Sequence, residues 1–246
     1  MNKKGIMAYD LPERVASYDA DMAVMHPNRA KMIRVALEIL PFSTQAPLRA
    51  LDRGVGSGYF AEHFLRHYQN ATVVAIDGAS AMVDLAKARL GELGDRTQFV
   101  VGDFRDLSRL VPEKGAFGVV FSSYALHHLN GQEKQSVIGQ SLDLLCDEGW
   151  FVNADLIVSE TPEMEERIQT LRVEGIVQRA NGHDARFKDF KTTRAFLDGL
   201  EYRDGDQPLT LMADLHVLKA AGVRSASVFW LEHREAVCGG KKGGLL

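Results

Sequence analysis

The sequence predicts an α/β chain built on a doubly wound sheet of mostly parallel strands. Three observations carry that expectation. Apolar, β-branched runs alternate with stretches of helical periodicity from Leu48 to about Val158. A glycine-rich turn follows the first apolar run, and a helical pattern follows the turn. Later runs carry an aspartate at or next to their ends, Asp77 and Asp103 among them.

In chain order, a mobile start over residues 1–10 leads to a short helix from Leu11 to Tyr18. His26-Pro27 is a break, since proline suits the first turn of a helix. Met32, Ile33, Val35, Ala36, Leu37, Ile39 and Leu40 then recur at helical spacing up to Pro41. The first strand is Leu48 to Leu51, followed by Gly54, Gly56 and Gly58 and a helix through Ala61 to Arg66. Ala71 to Asp77 is the second strand, and Ser80 to Leu93 a helix with Met82, Leu85, Ala86 and Leu90 on one side. Thr97 to Phe104 and the run from Phe117 give the third and fourth strands. The run from Phe117 passes Ser122 and Ser123 into a His127-His128-Leu129 turn. A helix over Glu133 to Leu145 and a strand ending at Asp155 complete the alternation. Residues 159–207 break it. Thr161-Pro162-Glu163-Met164 opens a helix with acids in its first turn, Asn181-Gly182 ends it, and Phe187 to Tyr202 is a weaker helical pattern. A Gly205-Asp206-Gln207-Pro208 turn leads back to a last helix, Met212 to Ala221.

The glycine turn is the first chemical signal. Backbone without Cβ lets a ligand lie directly on it, and the helix start beyond offers free N–H groups to an anion. The spacing is G-x-G-x-G; a dinucleotide fingerprint would place a glycine at position 59, which is Tyr59. Asp77 lies nineteen residues past Gly58, where an acid accepts hydrogen bonds from ribose hydroxyls.

Taken together, LDRGVGSGYF, the strand ending at Asp77, Gly102-Asp103-Phe104, the HHL turn and the Gly149 strand resemble the class I S-adenosylmethionine-dependent methyltransferases of small-molecule type. The likeness covers about residues 48 to 158, and Ala221-Gly222-Val223, Val228-Phe229-Trp230 and Ala236 to Gly240 look like the family's closing antiparallel strand pair. The first motif is usually close to LDLGCGTG, from which Arg53 and Val55 depart. The resemblance implies a seven-stranded, mostly parallel, Rossmann-like sheet with a small helical cap, and S-adenosyl-L-methionine as cofactor. It places Asp52 near the methionine ammonium, Gly54, Gly56 and Gly58 under the cofactor, and Asp77 with Gly78 at the ribose. Met82 and Phe104 fall beside the adenine, Asp103 at its amino group, and Ser122 at the strand end whose backbone meets the ammonium. His127 and His128 fall near the acceptor, where either can act as general base. In related enzymes an N-terminal tyrosine approaches the sulfonium or substrate, which singles out Tyr18 and Tyr9. The reaction implied is in-line methyl transfer, for which alignment and desolvation suffice without a dedicated nucleophile.

Four parts are expected: an N-terminal helical lid over residues 1–45, a cofactor-binding core over 46–158, a helical cap over 159–207, and a last helix with closing strands over 208–246. In the cap, Arg179, His183, Arg186 and Lys188 are candidates for an anionic acceptor or for a wet surface, and Arg53 for a solvated or paired side chain. A net charge of −4 gives no general attraction to nucleic acid, and no run of eighteen apolar residues calls for a membrane. Two cysteines without C-x-x-C spacing and an N-terminus without an apolar signal core point to the cytoplasm. No metal is expected, because no His/Asp/Glu cluster lies close in sequence to the histidine pair. The oligomeric state is left open, a homodimer included. Three alternatives remain: carboxymethyl-type chemistry on the sulfonium cofactor, a non-catalytic cofactor-binding relative suggested by Arg53, and an NAD enzyme disfavoured by Tyr59.

Overall fold

A computed structural model describes residues 8–243 of the chain. The expected mobile start lies largely outside the described residues. Seven strands form one sheet: β1 (Arg49–Arg53), β2 (Thr72–Asp77), β3 (Thr97–Val101), β4 (Phe117–Ser123), β5 (Leu145–Leu156), β6 (Val223–Glu232) and β7 (Glu235–Lys242). Their order is β3-β2-β1-β4-β5-β7-β6. The first five pair in parallel, and β7 runs antiparallel between β5 and β6, as the tail motifs implied. The strand order reverses between β2 and β4 around β1, and in open α/β sheets ligands bind at such a switch point.

Helices cover both faces. On one lie α1 (Pro12–Met25), α2 (Arg29–Glu38), α3 (Tyr59–His67) and α4 (Ser80–Leu90). On the other lie the short α5 (Leu107–Leu110), α6 (Gly131–Leu144) and, following the cap helices α7 (Pro162–Ala180) and α8 (Phe190–Asp204), the last helix α9 (Leu211–Ala220). Strand alternation feeds two cores. Ala50, Val73, Ala75, Val119 and Phe121 pack under the first helix set, while Leu51, Val74, Ile76, Val120 and Phe151 pack under the second. A third cluster, Met25, Val173, Ile176, Ala180, Phe187 and Leu197, joins the end of α1 to the cap.

The helix starts follow local chemistry. Asn130 and Glu133 form a reciprocal capping box on α6. Thr161 caps α7 with Pro162 in its first turn, Asp189 caps α8 and Thr210 caps α9. Asn181, at φ 47°, ends α7 in the left-handed conformation asparagine tolerates. The cap leaves and rejoins the core at one place, because Val158 N–H donates to Leu209 O at 3.0 Å beside a parallel bridge to Thr210.

Three expectations need correction. The first helix does not stop at Tyr18 but runs to Met25, since nothing between Tyr18 and the His26-Pro27 break interrupts it. β3 ends at Val101 rather than Phe104, because the Asp103 side chain accepts from Arg105 N–H and starts a 3₁₀ turn. Arg53 is neither solvated nor paired at the surface: it is 0% exposed, on the α6 side of the sheet. Its Nη1 donates to Val137 O at 2.8 Å and Ser141 Oγ at 2.5 Å, and it stacks over Phe151. No helix among the described residues is long and apolar enough to cross a membrane.

One buried ion pair ties α6 to α9: Lys134 Nζ to Asp214 Oδ1 at 2.7 Å, with Lys134 1% exposed. Removing one partner strands a buried charge, so Lys134→Met is expected to lose about 3–5 kcal/mol, measured by denaturant unfolding. The double variant Lys134→Met/Asp214→Leu should recover most of that loss. A single variant with unchanged stability would mean the pair carries no such constraint.

Candidate active site

The first turn is built where β1 ends at the switch point. Gly54, Gly56 and Gly58 have φ of 80°, 51° and 78°, the left-handed region that costs a side chain but not glycine. A Cβ on Gly54 would also lie 2.6 Å from Ala125 Cβ. Asp77 fastens the turn: Gly56 N–H donates to its Oδ2 at 2.9 Å and Ala79 N–H to its Oδ1 at 2.9 Å. Burial raises the Asp77 carboxyl above its usual range, and these backbone donors oppose that shift. Asp52, 1% exposed, has both carboxylate oxygens buried without a hydrogen-bond partner. Burial, then Asp77, pushes its carboxyl well up. Asp52 lies under the turn beside Ala61 and lines neither of the two cavities nearby; it is the Cβ-free backbone at Gly54 that fits a closely approaching ligand.

A small cavity opens over this turn. Gly54, Val55, Gly56, Asp77, Met82 and Phe104 line its floor, and Tyr9, Tyr18, Tyr124 and His128 its roof. Of the sequence candidates, Gly54, Gly56, Asp77, Met82, Phe104, Tyr18 and His128 therefore meet in one place. Gly58 sits against Ala86 at the start of α3. Ser122 Oγ turns away to donate to Arg53 O at 2.7 Å, while Ser123 lines the cavity. Asp103 stands apart, its carboxylate held by the Arg105 guanidinium at 2.5–3.0 Å, and neither it nor Gly78 lines the cavity.

A second, larger cavity of about 420 Å³ lies between α1, the sheet edge and α8. Tyr9, Tyr18 and Tyr124 belong to the walls of both cavities. Tyr124 has φ 47°, an uncommon conformation for a bulky residue and one that clusters at functional sites. Its hydroxyl donates to Glu235 Oε1 at 2.8 Å, and His26 Nδ1 meets the same oxygen at 2.9 Å.

The histidine turn stands at the junction: His127 lines the larger cavity and His128 the smaller. Both are buried and their rings lie 4.1 Å apart. Asp155, on β5, accepts from His127 N–H at 3.0 Å and contacts Nδ1 at 2.6 Å. Asp206, from the segment leaving the cap, lies 2.8 Å from His128 Nδ1 and 3.6 Å from His127 Nε2. The same segment is pinned by Gln207 N–H donating to His127 O at 2.7 Å. Burial works to lower His127, but Asp155 and then Asp206 outweigh it, so its pKa lies above the usual histidine range. His128 goes the other way, lowered by burial and by His127 against the pull of Asp206. Sequence spacing missed Asp155 and Asp206 as partners, because both reach the turn through tertiary structure.

His127, His128 and Asp206 place three donor atoms within 4.8 Å of one another. His128 Nδ1 and Asp206 Oδ1 lie 2.8 Å apart, a close charge contact, but both atoms are buried without a hydrogen bond of good geometry. Ligands of a tetrahedral ion, bonded at 2.0–2.1 Å, would stand about 3.3 Å apart. The grouping thus reads as one hydrogen-bonded carboxylate–histidine dyad, His127 with Asp155, beside a close approach of Asp206 to His128. In the cap, Arg186 is held by Asp21 and Asp184 at 2.6 Å each, and Arg179 donates to Val24 O; His183 and Lys188 line neither cavity.

Residues 50–149 match the family described as a methyltransferase domain. An uncharacterized methyltransferase of Anoxybacillus flavithermus is 33% identical over 130 residues, 53% of this chain and 57% of that protein. The chain thus spans little more than half the length of such curated relatives. A carboxy-S-adenosyl-L-methionine synthase of Nautilia profundicola is 23% identical over 166 residues, 66% of this chain and 68% of that protein. An O-methyltransferase family protein of Burkholderia thailandensis superimposes with a TM-score of 0.66 at 15% identity, covering 96% of this chain and 62% of its own, which is a likeness of fold. The glycine turn, Asp77 and the sheet order agree with that match, so residues 50–149 are a methyltransferase domain of the class I S-adenosylmethionine-dependent type.

Proposed function

We propose that the chain transfers a methyl group from S-adenosyl-L-methionine to a small-molecule acceptor held in the larger cavity. The observation that carries this reading is the shared wall. Tyr9, Tyr18 and Tyr124 bound both cavities, with His127 on one side and His128 on the other. When bound, the cofactor supplies an activated methyl group on a sulfonium. The chain's part is to hold it on the glycine turn, with Asp77 at the ribose and Asp52 toward the ammonium. Met82 and Phe104 flank the base, and the backbone at Ser122 and Ser123 closes the methionine end. Asp103, already engaged by Arg105, reaches the adenine only if that pair opens.

Residues 159–207, with the N-terminal helices, act as the lid that shapes the acceptor cavity and excludes water from it. Tyr18 stands between the cavities and positions the reacting groups. An acceptor that must lose a proton gives it to the histidine turn. His128, on the cofactor side of the shared wall, is the better base for an acceptor group that reaches through it: burial and then His127 lower its pKa and favour the neutral ring. His127, raised by its carboxylate neighbours, remains charged to higher pH and fixes the turn.

Asp77→Ala should weaken S-adenosylhomocysteine binding by about 1–3 kcal/mol in calorimetry. Undiminished affinity would remove Asp77 from the site. In NMR titrations, His127 should lose its proton above the usual histidine range and His128 below it. Because the folded pKa of His127 is raised, its contribution to stability is present at low pH and fades as pH rises through that value. Asp155→Asn should shift the His127 transition to lower pH; an unmoved transition would show that Asp155 does not set its charge. His128→Ala should slow methylation of a protic acceptor by about 10²–10⁴-fold. A variant keeping the parent rate and pH profile would reduce the histidine turn to positioning.

A further inference from the structure

We infer that the acceptor is an uncharged, largely apolar compound bearing an ionisable hydroxyl. This deepens the proposed methyl transfer and rests on it. The charges on the walls of the larger cavity are already spent on one another. Arg14 Nη2 lies 2.5 Å from Asp204, Arg172 Nη1 2.5 Å from Glu201, and Arg186 Nη2 2.6 Å from Asp21. Tyr9 adds its hydroxyl to Asp204 at 3.2 Å. Among the described lining residues, the charged side chains outside such contacts are Glu13 and Arg203, and both are exposed at the rim.

A charged acceptor would therefore have to displace a partner from an ion pair or lie uncompensated against a mostly apolar wall. Either is costly, because an unpaired charge away from water loses its solvation without return. The remaining wall suits an apolar body. Met22, Met25, Leu156, Phe196 and Leu200 face the cavity, and the three tyrosines present ring surface. Methionine adapts its shape to an irregular ligand, and aromatic rings stack on flat ones. A volume of about 420 Å³ is toward the lower end of the range for small-molecule sites, so the ligand is compact.

The reacting group follows from the junction. His127 is held by the Asp155 carboxylate, while the neighbouring His128 ring, with Asp206 2.8 Å from Nδ1, is the imidazole there that can take a proton. That arrangement is of use to an acceptor that starts protonated and neutral, as a phenol-like hydroxyl does, and of none to a carboxylate or phosphate that is already ionised. The cap arginines named in the sequence as anion ligands do not fill that role from this cavity: Arg186 is neutralised and Arg179 lies outside it.

The test is a pair of calorimetric titrations of the full chain at pH 7 with 2-naphthol and 2-naphthoate, matched in size and differing in charge. The parent should bind 2-naphthol at least about tenfold more tightly. Asp204→Asn frees the Arg14 guanidinium and should narrow that preference by about tenfold through tighter binding of 2-naphthoate. Equal or tighter binding of 2-naphthoate by the parent, or binding of neither probe, would overturn the inference. Should Asp204→Asn fail to fold, the parent comparison alone decides. S-Adenosylhomocysteine is titrated separately. Its failure to bind would strike the methyltransferase reading, whereas a preference for 2-naphthoate beside normal cofactor affinity would strike only the acceptor class.

Discussion

The Asp155 carboxylate is the constraint on which the site's geometry depends. It stands near the end of β5, 2% exposed, and accepts from the backbone and ring of His127 and from Leu156 N–H. A carboxylate with this many donors stays ionised; its pKa falls to about 2 although burial alone would raise it, because His127 and then Lys134 hold the charge. The fixed charge sets the position of the histidine turn. That position decides where the cap can dock, since Gln207 binds His127 O and Asp206 faces His128. The strand end thereby reaches the 159–207 segment through the histidine turn.

Behind Asp155 the core is unusually polar. Arg53 on β1 and the Lys134–Asp214 pair lie within the layer between sheet and helices. Arg53 Nε and Nη2 lack hydrogen-bond partners, a cost that a hydrophobic residue would avoid. Lys134 favours the charged form of Asp155 and works against protonation of His127, and Arg53 interacts with the same carboxylate. Stability and acid–base tuning therefore share residues, and a substitution in this layer changes both.

Local chemistry made much of this legible in the sequence. The glycine turn needs left-handed backbone at three positions within five residues, and Asp77 follows at the end of the next strand; both signals lie along the chain. Helix caps such as Thr161-Pro162 are legible for the same reason. What spacing could not supply was pairing across the fold. Asp155 with His127, Asp206 with His128, and Glu235 with Tyr124 and His26 join residues 28 to 209 positions apart. Arg53 could be placed on the face opposite Asp52 by strand alternation, but not in a fully buried setting, because charge alone argues for solvent. Asp103 shows the reverse limit: its position in a motif suggested a ligand contact, and a neighbour two residues on, Arg105, has taken its carboxylate.

The molecule that occupies the glycine turn decides the chemistry of the site. Native mass spectrometry of the protein as purified addresses this directly. S-Adenosylmethionine or S-adenosylhomocysteine bound to the chain, and released after denaturation, is the predicted result. NAD at that position, or a carboxylated sulfonium in place of the methyl donor, would contradict it.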